Sequence, residues 1–296
     1  MPKIDLLVIL GPTASGKTKL AVELAKKMNG EIISADSRQV YKKMDIGTGK
    51  DLKEYANIPY HLIDIVDPGV RYNIKDYKED FEEAYEDIKS KGKFPILCGG
   101  SGLYIQAALS NLEYSFVPTD EDYRKKLDQK SVEELKEQFK LLDRAFLEKL
   151  DFSSVKRIKR ALEIHSYLKD NPLYQMPKNK IKYKIYGIDL SREERRKRIE
   201  ERLDTRLANG MIEEVDGLRK SGVSDEDLLY YGLEYKWITM YLNEEIDKET
   251  MRKRLLVAIQ QFAKRQMTFF RSMEKKGFEI EWGDFDSLLK TEFKDY

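Results

Sequence analysis

Eight residues near the start of the chain have the types and the spacing of a phosphate-binding loop. Residues 11–18 match the pattern G-x-x-x-x-G-K-[ST]. In such a loop the glycines let successive backbone N–H groups point at phosphate oxygens, and the lysine adds a positive charge. The last residue offers a hydroxyl to a magnesium ion. We assign to this polyphosphate site Gly11, Pro12, Thr13, Ala14, Ser15, Gly16, Lys17 and Thr18, with Thr18 as the Mg²⁺ ligand.

Asp36 is a second residue that could do chemistry. It follows the short apolar run 31–34, which we interpret as a strand. Ligands of open α/β sheets bind beyond the carboxyl ends of the strands. A carboxylate at that edge could accept a proton from a substrate held in front of the phosphate-binding loop. The alternative is a turn aspartate that bonds only to nearby backbone.

Two other strand ends bear on the kind of reaction. A nucleotide hydrolase would have an apolar strand ending in a magnesium-binding aspartate, and the run 61–66 offers Asp64 for this role. The run 94–98 ends instead in Gly-Gly-Ser-Gly at 99–102. These glycines would let a substrate backbone come close, with Ser101 as a hydrogen-bond donor. A flexible turn from strand to helix is the alternative.

Clusters of basic residues stand out because the formal net charge is only +1. Segment 251–271 contains six Lys and Arg residues and no acid, a pattern that favours phosphate contact over an ordinary solvated face. Residues 156–160 form a second basic patch. Four arginines recur at three- and four-residue steps and would lie on one face of a helix: Arg195, Arg198, Arg202 and Arg206. They could bind phosphate, or they could form salt bridges with the neighbouring glutamates.

The elements that must position these groups alternate between apolar runs and helical stretches. This alternation predicts an α/β fold with a parallel sheet and helices on both faces. The predicted strands are residues 4–10, 31–34, 61–66, 94–98 and 184–189. The predicted helices include 73–91, a helix opened by Ser131 whose apolar stripe runs from Val132 to Leu150, 154–169, 191–210 and further helix as far as Gly277.

The helical span between the fourth and fifth strands predicts an insertion. We assign residues 1–112 and 183–296 to the core and 113–182 to a helical insertion domain. Hydrophobic residues make up 41% of the 296 residues and charged residues 36%, and no apolar run approaches the ~18 residues that cross a bilayer. We therefore expect a cytoplasmic globular protein. The single cysteine, Cys98, excludes an intrachain disulfide framework and is interpreted as a core residue.

The motifs together resemble those of tRNA dimethylallyltransferases of the bacterial type. The matching segments in the first part of the chain are residues 11–18, 34–41, 44–49, 61–68 and 99–104. The match continues in the family's order at residues 160–163, 198–203, 210–215 and 263–271. The resemblance covers almost the whole chain. One departure is Tyr230–Tyr235, where the family usually has Gly-Tyr followed by a basic residue.

This resemblance implies a P-loop NTPase-like core and transfer of a dimethylallyl group from dimethylallyl diphosphate to the exocyclic amine of the adenosine 3′ of the anticodon. Thr13, Lys17 and Thr18 would bind the diphosphate with Mg²⁺. Asp36 would be the general base, and Arg202 would stabilise the departing diphosphate. The catalytic residues that it implies are thus Asp36, Arg202 and Thr18. The implied tRNA contacts are Asp36, Ser37, Arg38, Gln39, Ser101, Arg124, Lys156, Arg157, Lys159, Arg160, Lys264, Arg265 and Arg271.

The implied partners are the anticodon stem-loop of tRNA and dimethylallyl diphosphate, and we expect a monomer that contacts no membrane. Three alternatives remain open at this point. An adenylate dimethylallyltransferase would prenylate a free nucleotide and would need no basic insertion. A P-loop small-molecule kinase would transfer a phosphoryl group without RNA. A noncatalytic RNA-binding protein would keep the loop but turn nothing over.

Overall fold

The computed structural model describes residues 4–110, 114, 117–143, 146, 154–172 and 181–291. The chain divides into two compact units: a core unit, Met1–Leu109 with Lys180–Tyr296, and an insertion unit, Ser110–Asn179. We had placed the insertion at 113–182, close to these bounds. Among the described residues, no helix is both long and apolar enough to cross a membrane.

A six-stranded parallel sheet forms the centre of the core unit. Its strands are β1 Leu6–Leu10, β2 Gly30–Ala35, β3 Tyr60–His61, β4 Phe94–Gly99, β5 Tyr183–Ile188 and β6 Ile280–Gly283, in the order β3-β2-β4-β1-β5-β6. Every residue of β1, β2 and β4 is buried. Strands covered on both faces can be apolar without alternation, which is why these runs were visible in the sequence.

Four of the five predicted strands are confirmed to within two residues at each end. The fifth, 61–66, is wrong beyond His61, because Leu62 and Asp64 have φ angles of 62° and 58°, which interrupt an extended chain. Strand β6 was missed. It contains only four residues, and so short a segment gives almost no periodic signal.

The helices are α1 Lys17–Met28, α2 Ile74–Ser90, α3 Gly102–Leu109, α4 Glu121–Asp128, α5 Val132–Lys140, α6 Val155–Asp170, α7 Arg192–Ala208, α8 Met211–Lys220, α9 Asp225–Tyr231, α10 Leu233–Leu242, α11 Lys248–Lys275 and α12 Phe285–Leu289, with a 3₁₀ turn at Leu52–Tyr55. Alternate residues of β1 enter two cores. Leu6 and Val8 pack in the core that contains α2, whereas Leu7 and Ile9 pack in the core that contains α1. Helices therefore cover both faces of the sheet, as predicted.

The insertion unit contains α4, α5 and α6. Helix α5 opens with the predicted capping box, in which Ser131 and Glu134 satisfy each other's backbone N–H groups. The predicted stripe does not continue as one helix. Leu135 and Phe139 pack against α6, but α5 ends at Lys140, and beyond it the Asp143 carboxylate accepts the Phe146 N–H at 3.2 Å. Leu150 lies outside the described residues.

Candidate active site

The phosphate-binding loop joins β1 to α1, as predicted. Ala14 and Gly16 have φ angles of 62° and 85°, so the chain turns twice through the left-handed region. A Cβ on Gly11 would lie 2.6 Å from the Ser15 Oγ, which shows how tightly the loop folds on itself. The N-terminus of α1, with its unpaired backbone N–H groups, therefore faces the space in front of the loop.

Lys17 lies at that N-terminus and is half-buried. Desolvation by burial lowers its pKa from the usual value; Cys98 and Asp36 oppose this shift, while Arg202 and Arg206 add to it. Burial and the two neighbouring arginines outweigh the favourable charge of Asp36, and a bound anion would restore the preference of Lys17 for its charged form. The arrangement fits a polyphosphate ligand.

A cavity of about 710 Å³ opens in front of the loop. Its size falls within the usual range for small-molecule sites. The lining comes from five parts of the core unit: Thr13, Ala14 and Gly16–Thr18; Asp36–Gln39; Gly47–Gly49, Asp51 and Glu54; Arg198, Glu201, Arg202, Thr205 and Arg206; and Tyr230–Tyr235, Ile259, Phe262, Arg265 and Gln266. The predicted diphosphate residues, the predicted base and Arg202 are thus brought together.

Asp36 begins the segment that follows β2. Its Oδ1 accepts the backbone N–H of Arg38 at 3.0 Å, which is the local bond of a turn aspartate. The same side chain lines the cavity. Both interpretations of Asp36 are therefore compatible, because one carboxylate oxygen fixes the turn and the other, Oδ2, has no hydrogen-bond partner among the described residues.

Two hydrogen bonds connect the segment 36–39 to neighbouring parts of the core unit. The Ser101 Oγ accepts the Ser37 N–H at 3.0 Å, and the Gln39 Nε2 donates to the Gly49 carbonyl at 3.1 Å. Ser101, predicted as a donor at the site, lies beside the segment but does not line the cavity. The end of β4 is thereby tied to the residues that follow β2.

The glycines at 99–102 are required by the protein's own packing. A Cβ on Gly99 would collide with the Ala35 backbone, and one on Gly102 would collide with the Phe269 ring. A Cβ on Gly100 would meet the Gln266 amide. We had expected these glycines to admit a substrate backbone. That expectation was wrong, because protein atoms already occupy the space.

Gln266 is a site residue for which sequence reasoning assigned no role. Its buried amide connects two loops: Oε1 accepts the Thr13 N–H at 2.9 Å, and Nε2 donates to the Gly100 carbonyl at 2.9 Å. Helix α11 thereby fixes the phosphate-binding loop. A signal was present, since Gln266 is a polar residue on a helix face shared with buried Ala263 and Phe270.

Arg198, Arg202 and Arg206 of α7 line the cavity, whereas Arg195 does not. Arg202 Nη2 donates to the Asp51 carboxylate at 2.5 Å and to the Gly49 carbonyl at 3.2 Å. Arg198 pairs with Glu194 at 2.6 Å. The alternative of a salt bridge to a neighbouring glutamate therefore holds for Arg198, whereas Arg202 pairs with Asp51 from a different segment, and both side chains also line the cavity.

The loop that carries Gly49 is held by one carboxylate. Glu214 of α8 accepts the backbone N–H groups of three successive residues, Asp45, Ile46 and Gly47, at 2.8, 2.6 and 3.0 Å. The Tyr235 hydroxyl donates to the same carboxylate at 2.9 Å. At Gly49 a Cβ would collide with the guanidinium groups of α7. The loop and the arginines therefore pack in direct contact.

Aromatic side chains of residues 230–235 also line the cavity. Tyr230 is 50% exposed, and the Arg38 guanidinium lies 5.8 Å from its ring centroid and 5.7 Å from that of Tyr231. The Arg71 guanidinium stacks on Tyr230 at 3.8 Å. Gly232, with a φ of 72°, joins α9 to α10 within this segment. The atypical Tyr230–Tyr235 segment is thus part of the cavity wall.

Asp64 does not line the cavity. It pairs with the buried Lys50, whose ammonium also donates to the Tyr41 carbonyl at 2.6 Å and to Asp45 at 2.7 Å. The suggestion that Asp64 could hold magnesium as in a hydrolase is therefore wrong. Its ion pair stabilises the segment that follows β3.

The basic residues of α11 divide into two groups. Arg252 forms a bidentate pair with Asp204 of α7, at 2.6 and 2.7 Å, and Lys253 pairs with Glu249 at 2.5 Å. The expectation of a one-signed basic surface is wrong at this end of the helix, because α7 supplies acids to Arg252 and α11 itself supplies Glu249 to Lys253. Lys264, Arg265 and Arg271 are exposed, and Arg265 also lines the cavity.

The basic residues of the insertion unit also differ among themselves. Arg124 and Arg160 both pair with the buried Glu163, at 2.9 Å for Arg124. Lys159 pairs with Asp128 at 2.5 Å. Lys156 and Arg157 are exposed. Contact of any of these residues with tRNA stays a prediction.

In the part of the chain that the structure describes, no group of three or more His, Cys, Asp or Glu side chains is arranged to hold a metal ion. Magnesium bound with a diphosphate needs few protein ligands, because phosphate oxygens and water complete its octahedron. The Thr18 hydroxyl, in the first turn of α1, fits that donor set. His61 pairs with Glu31 at 2.8 Å. Cys98 is buried in the core, as predicted.

A parallel sheet, a phosphate-binding loop after its β1 strand and an α-helical cover on both faces define a P-loop NTPase-like α/β protein. The cavity adds an acid and several arginines to this fold. The sequence profile of the family described as IPP transferase matches residues 39–273. The chain belongs to the IPP transferase family.

Relatives are similar over nearly the whole chain. A protein of Parabacteroides distasonis named tRNA dimethylallyltransferase 1 is 48% identical, covering 99% of this chain and 96% of its own length. One of Porphyromonas gingivalis named tRNA dimethylallyltransferase 2 is 50% identical, covering 97% and 95%. The resemblance seen in the sequence is thereby confirmed.

Solved structures of similar proteins support the same family assignment. The full-length tRNA isopentenylpyrophosphate transferase of Bacillus halodurans is 32% identical with a TM-score of 0.70, covering 97% of this chain and 93% of its own. A eukaryotic dimethylallyltransferase acting on tRNA is 25% identical with a TM-score of 0.79, covering 95% of this chain and 74% of its own.

Proposed function

We propose that this protein transfers a dimethylallyl group from dimethylallyl diphosphate to the exocyclic amine of the adenosine 3′ of the anticodon in tRNA, giving N6-dimethylallyladenosine and diphosphate. The observation that carries the proposal is the composition of one cavity. A phosphate-binding loop, a carboxylate with an uncommitted oxygen and a row of arginines all line it. Relatives named for this reaction cover almost the whole chain.

The diphosphate would bind at the N-terminus of α1, where the backbone N–H groups and Lys17 meet its charge. When the allylic C–O bond breaks, negative charge grows on the leaving oxygen. Lys17 and Arg202 line the same cavity, and as fixed cations they would stabilise this charge. Magnesium held by Thr18 and the phosphate oxygens would supply further charge neutralisation.

Asp36 would remove the proton from the attacking amine. The amine nitrogen forms a bond to the allylic carbon, the C–O bond to diphosphate breaks, and the nitrogen loses one proton. Because Oδ1 of Asp36 is held by the Arg38 N–H, Oδ2 is oriented to accept that proton. The carboxylate is then restored by releasing the proton to solvent.

The adenine would have to leave the stack of the anticodon loop to reach the cavity. Enzymes that modify a base commonly turn it out, and they read it by stacking and polar contacts. The exposed ring of Tyr230 with Arg38 at 5.8 Å is suited to hold an unstacked base or its phosphate.

Exposed basic residues would position the rest of the tRNA through its phosphates. On the core unit we assign this role to Lys264, Arg265 and Arg271, and on the insertion unit to Lys156 and Arg157. Arg124, Lys159 and Arg160 already pair with acids, so we expect smaller contributions from them.

The test is mass spectrometry of nucleosides from unmodified tRNA incubated with the protein, magnesium and dimethylallyl diphosphate. We expect one five-carbon unit on adenosine in tRNA. A parallel reaction with AMP tests the adenylate enzyme, and one with ATP and no prenyl donor tests the kinase. Prenylated AMP, or no product with tRNA, would contradict the proposal.

A further inference from the structure

Arg206 carries a hydrogen-bond donor without an acceptor. It lies one helical turn after Arg202 on α7 and lines the same cavity, and its side chain is only 13% exposed. Its Nη2 is buried and has no hydrogen-bond partner among the described residues. Native proteins rarely leave such a donor unsatisfied, and each case calls for a physical reason.

The groups around Arg206 pack against its guanidinium but do not accept a hydrogen bond from Nη2. Glu234 Oε1 lies 4.0 Å from Nη1, which is too long for a hydrogen bond. Gly49 has no side chain, and a Cβ there would collide with the Arg206 guanidinium. The guanidinium is therefore packed on backbone, at a fixed position.

A narrow gap separates Arg206 from the phosphate-binding loop. The gap, about 20 Å³ in volume, is lined by Thr13 and Ala14 of the loop and by Arg202, Arg206 and Glu234. The side chain that carries the unsatisfied donor therefore lines this gap together with two residues of the loop, as well as the main cavity.

We propose that Arg206 binds a phosphate oxygen of the diphosphate, as a second arginine beside Arg202. The proposal rests on the function proposed above, because it takes the diphosphate to be the ligand. Arg202 already donates hydrogen bonds to Asp51 and to the Gly49 carbonyl, whereas the Nη2 of Arg206 has no acceptor among the described residues. Burial, with Arg202 as the next cause, lowers the pKa of Arg206 to about 10, and an anion would reverse this shift.

The experiment is calorimetric titration of the protein with inorganic pyrophosphate and Mg²⁺. Arg206→Met removes the charge and keeps the length of the side chain. A charged hydrogen bond of this kind corresponds to about 10- to 100-fold in affinity, so we expect a Kd raised by that factor. Arg206→Lys should recover part of the loss, because it keeps the charge but not the planar fork.

Arg196→Met is the matched control. Arg196 is an exposed arginine of the same helix that does not line the cavity, and its loss should change the Kd by less than about 2-fold. If Arg206→Met does not fold, as judged by circular dichroism, Arg206→Gln replaces it. An affinity for pyrophosphate unchanged by the Arg206 substitution overturns the proposal, as does a failure of the unsubstituted protein to bind pyrophosphate.

Two outcomes separate this proposal from simpler explanations. If Arg206 only neutralises the buried Glu234, the pair Arg206→Met with Glu234→Gln should regain normal affinity; if Arg206 contacts the phosphate, the double variant stays weak. A water molecule could also fill the 20 Å³ gap. In that case Arg206→Met would leave pyrophosphate binding unchanged.

The binding readout is independent of turnover. If Arg206-dependent pyrophosphate binding is found but tRNA receives no dimethylallyl group, the proposed function fails and the inference about Arg206 stands. If tRNA is prenylated at the normal rate by Arg206→Met, with normal affinity for pyrophosphate, the function stands and the inference fails.

Discussion

An arginine of the core unit and two arginines of the insertion unit differ in whether a carboxylate of the protein accepts their hydrogen bonds. On α7, Arg206 faces an open cavity, and its nearest carboxylate oxygen lies 4.0 Å away. In the insertion unit, Arg124 and Arg160 converge on the buried Glu163, and Arg160 donates to the Val117 carbonyl as well, at 2.6 Å. One arrangement leaves a donor for a ligand, and the other uses its donors to hold the chain together.

The difference shows that a run of basic residues does not by itself identify a binding surface. Arg252 belongs to the longest basic segment, yet it pairs with two acids of α7. A basic side chain that already pairs with an acid of the protein is expected to contribute less to a ligand than one that lacks such a partner.

The largest effect is expected at Asp36. Asp36→Asn keeps an oxygen for the Arg38 N–H but loses the base, so single-turnover transfer to tRNA should fall by ~10²- to 10⁴-fold. Affinity for pyrophosphate should stay within about 3-fold. The control is Asp67→Asn, an exposed acid paired with Lys42 at 3.2 Å and absent from the cavity lining. Equal rates for Asp36→Asn and Asp67→Asn would remove Asp36 from the mechanism.

Substitution of Glu163 should lower the stability of the insertion unit. Glu163→Gln takes the shared carboxylate from Arg124 and Arg160, and because these two arginines are partly exposed we expect a cost of about 1 to 2 kcal/mol. Hydrogen exchange should then speed up across α4 and α6, while pyrophosphate binding in the core unit stays normal. The matched control is Glu137→Gln, an exposed acid paired with Lys140 at 2.7 Å, where the loss should be under about 0.5 kcal/mol. Equal protection in the two variants would contradict the role assigned to Glu163.

A smaller effect is expected at the exposed basic residues. Reversing Lys156 and Arg157 to Glu should raise the Michaelis constant for tRNA and lower the slope of log affinity against log salt by about 1 for each lost phosphate contact. Arg124→Gln in the same unit should change the slope less, because Glu163 already pairs with Arg124. A salt slope that is the same in all three proteins would show that this face does not dock RNA.

The smallest effect concerns the Arg252–Asp204 pair. Hydrogen bonds from Arg252 lower the pKa of Asp204 below its usual value of 3.8. A depressed folded-state pKa stabilises the protein above the unfolded pKa, and this contribution is lost as the pH falls through the folded value. Because both side chains are at least one-third exposed, Arg252→Met should cost only about 0.5 kcal/mol at pH 7.

Urea unfolding at two pH values checks this point. The difference between Arg252→Met and the unsubstituted protein should be present at pH 7 and should shrink as the pH falls through the lowered pKa of Asp204. A difference that persists at the lower pH would mean that Arg252 acts through packing of its aliphatic stem.

Much of the core followed from local patterns. The loop at 11–18, the strands that precede it and Asp36, and the buried face of α2 were all readable, because each depends on residues that are neighbours in the chain. Failures occurred where the local pattern was short or ambiguous. Leu62 and Asp64 turn through positive φ within an apolar run, and β6 is only four residues long.

The sequence by itself determined where the phosphate-binding loop begins, which acid follows the neighbouring strand, and which family the chain resembles. Tertiary structure alone decided the partners of polar side chains that bond to distant parts of the chain. Gln266 reaches Thr13 across 253 positions of the chain, and Glu214 holds the Asp45 loop from 169 positions away. Backbone periodicity is a property of adjacent residues, whereas a hydrogen bond or an unsatisfied donor depends on which distant segments the packed core brings within about 3 Å.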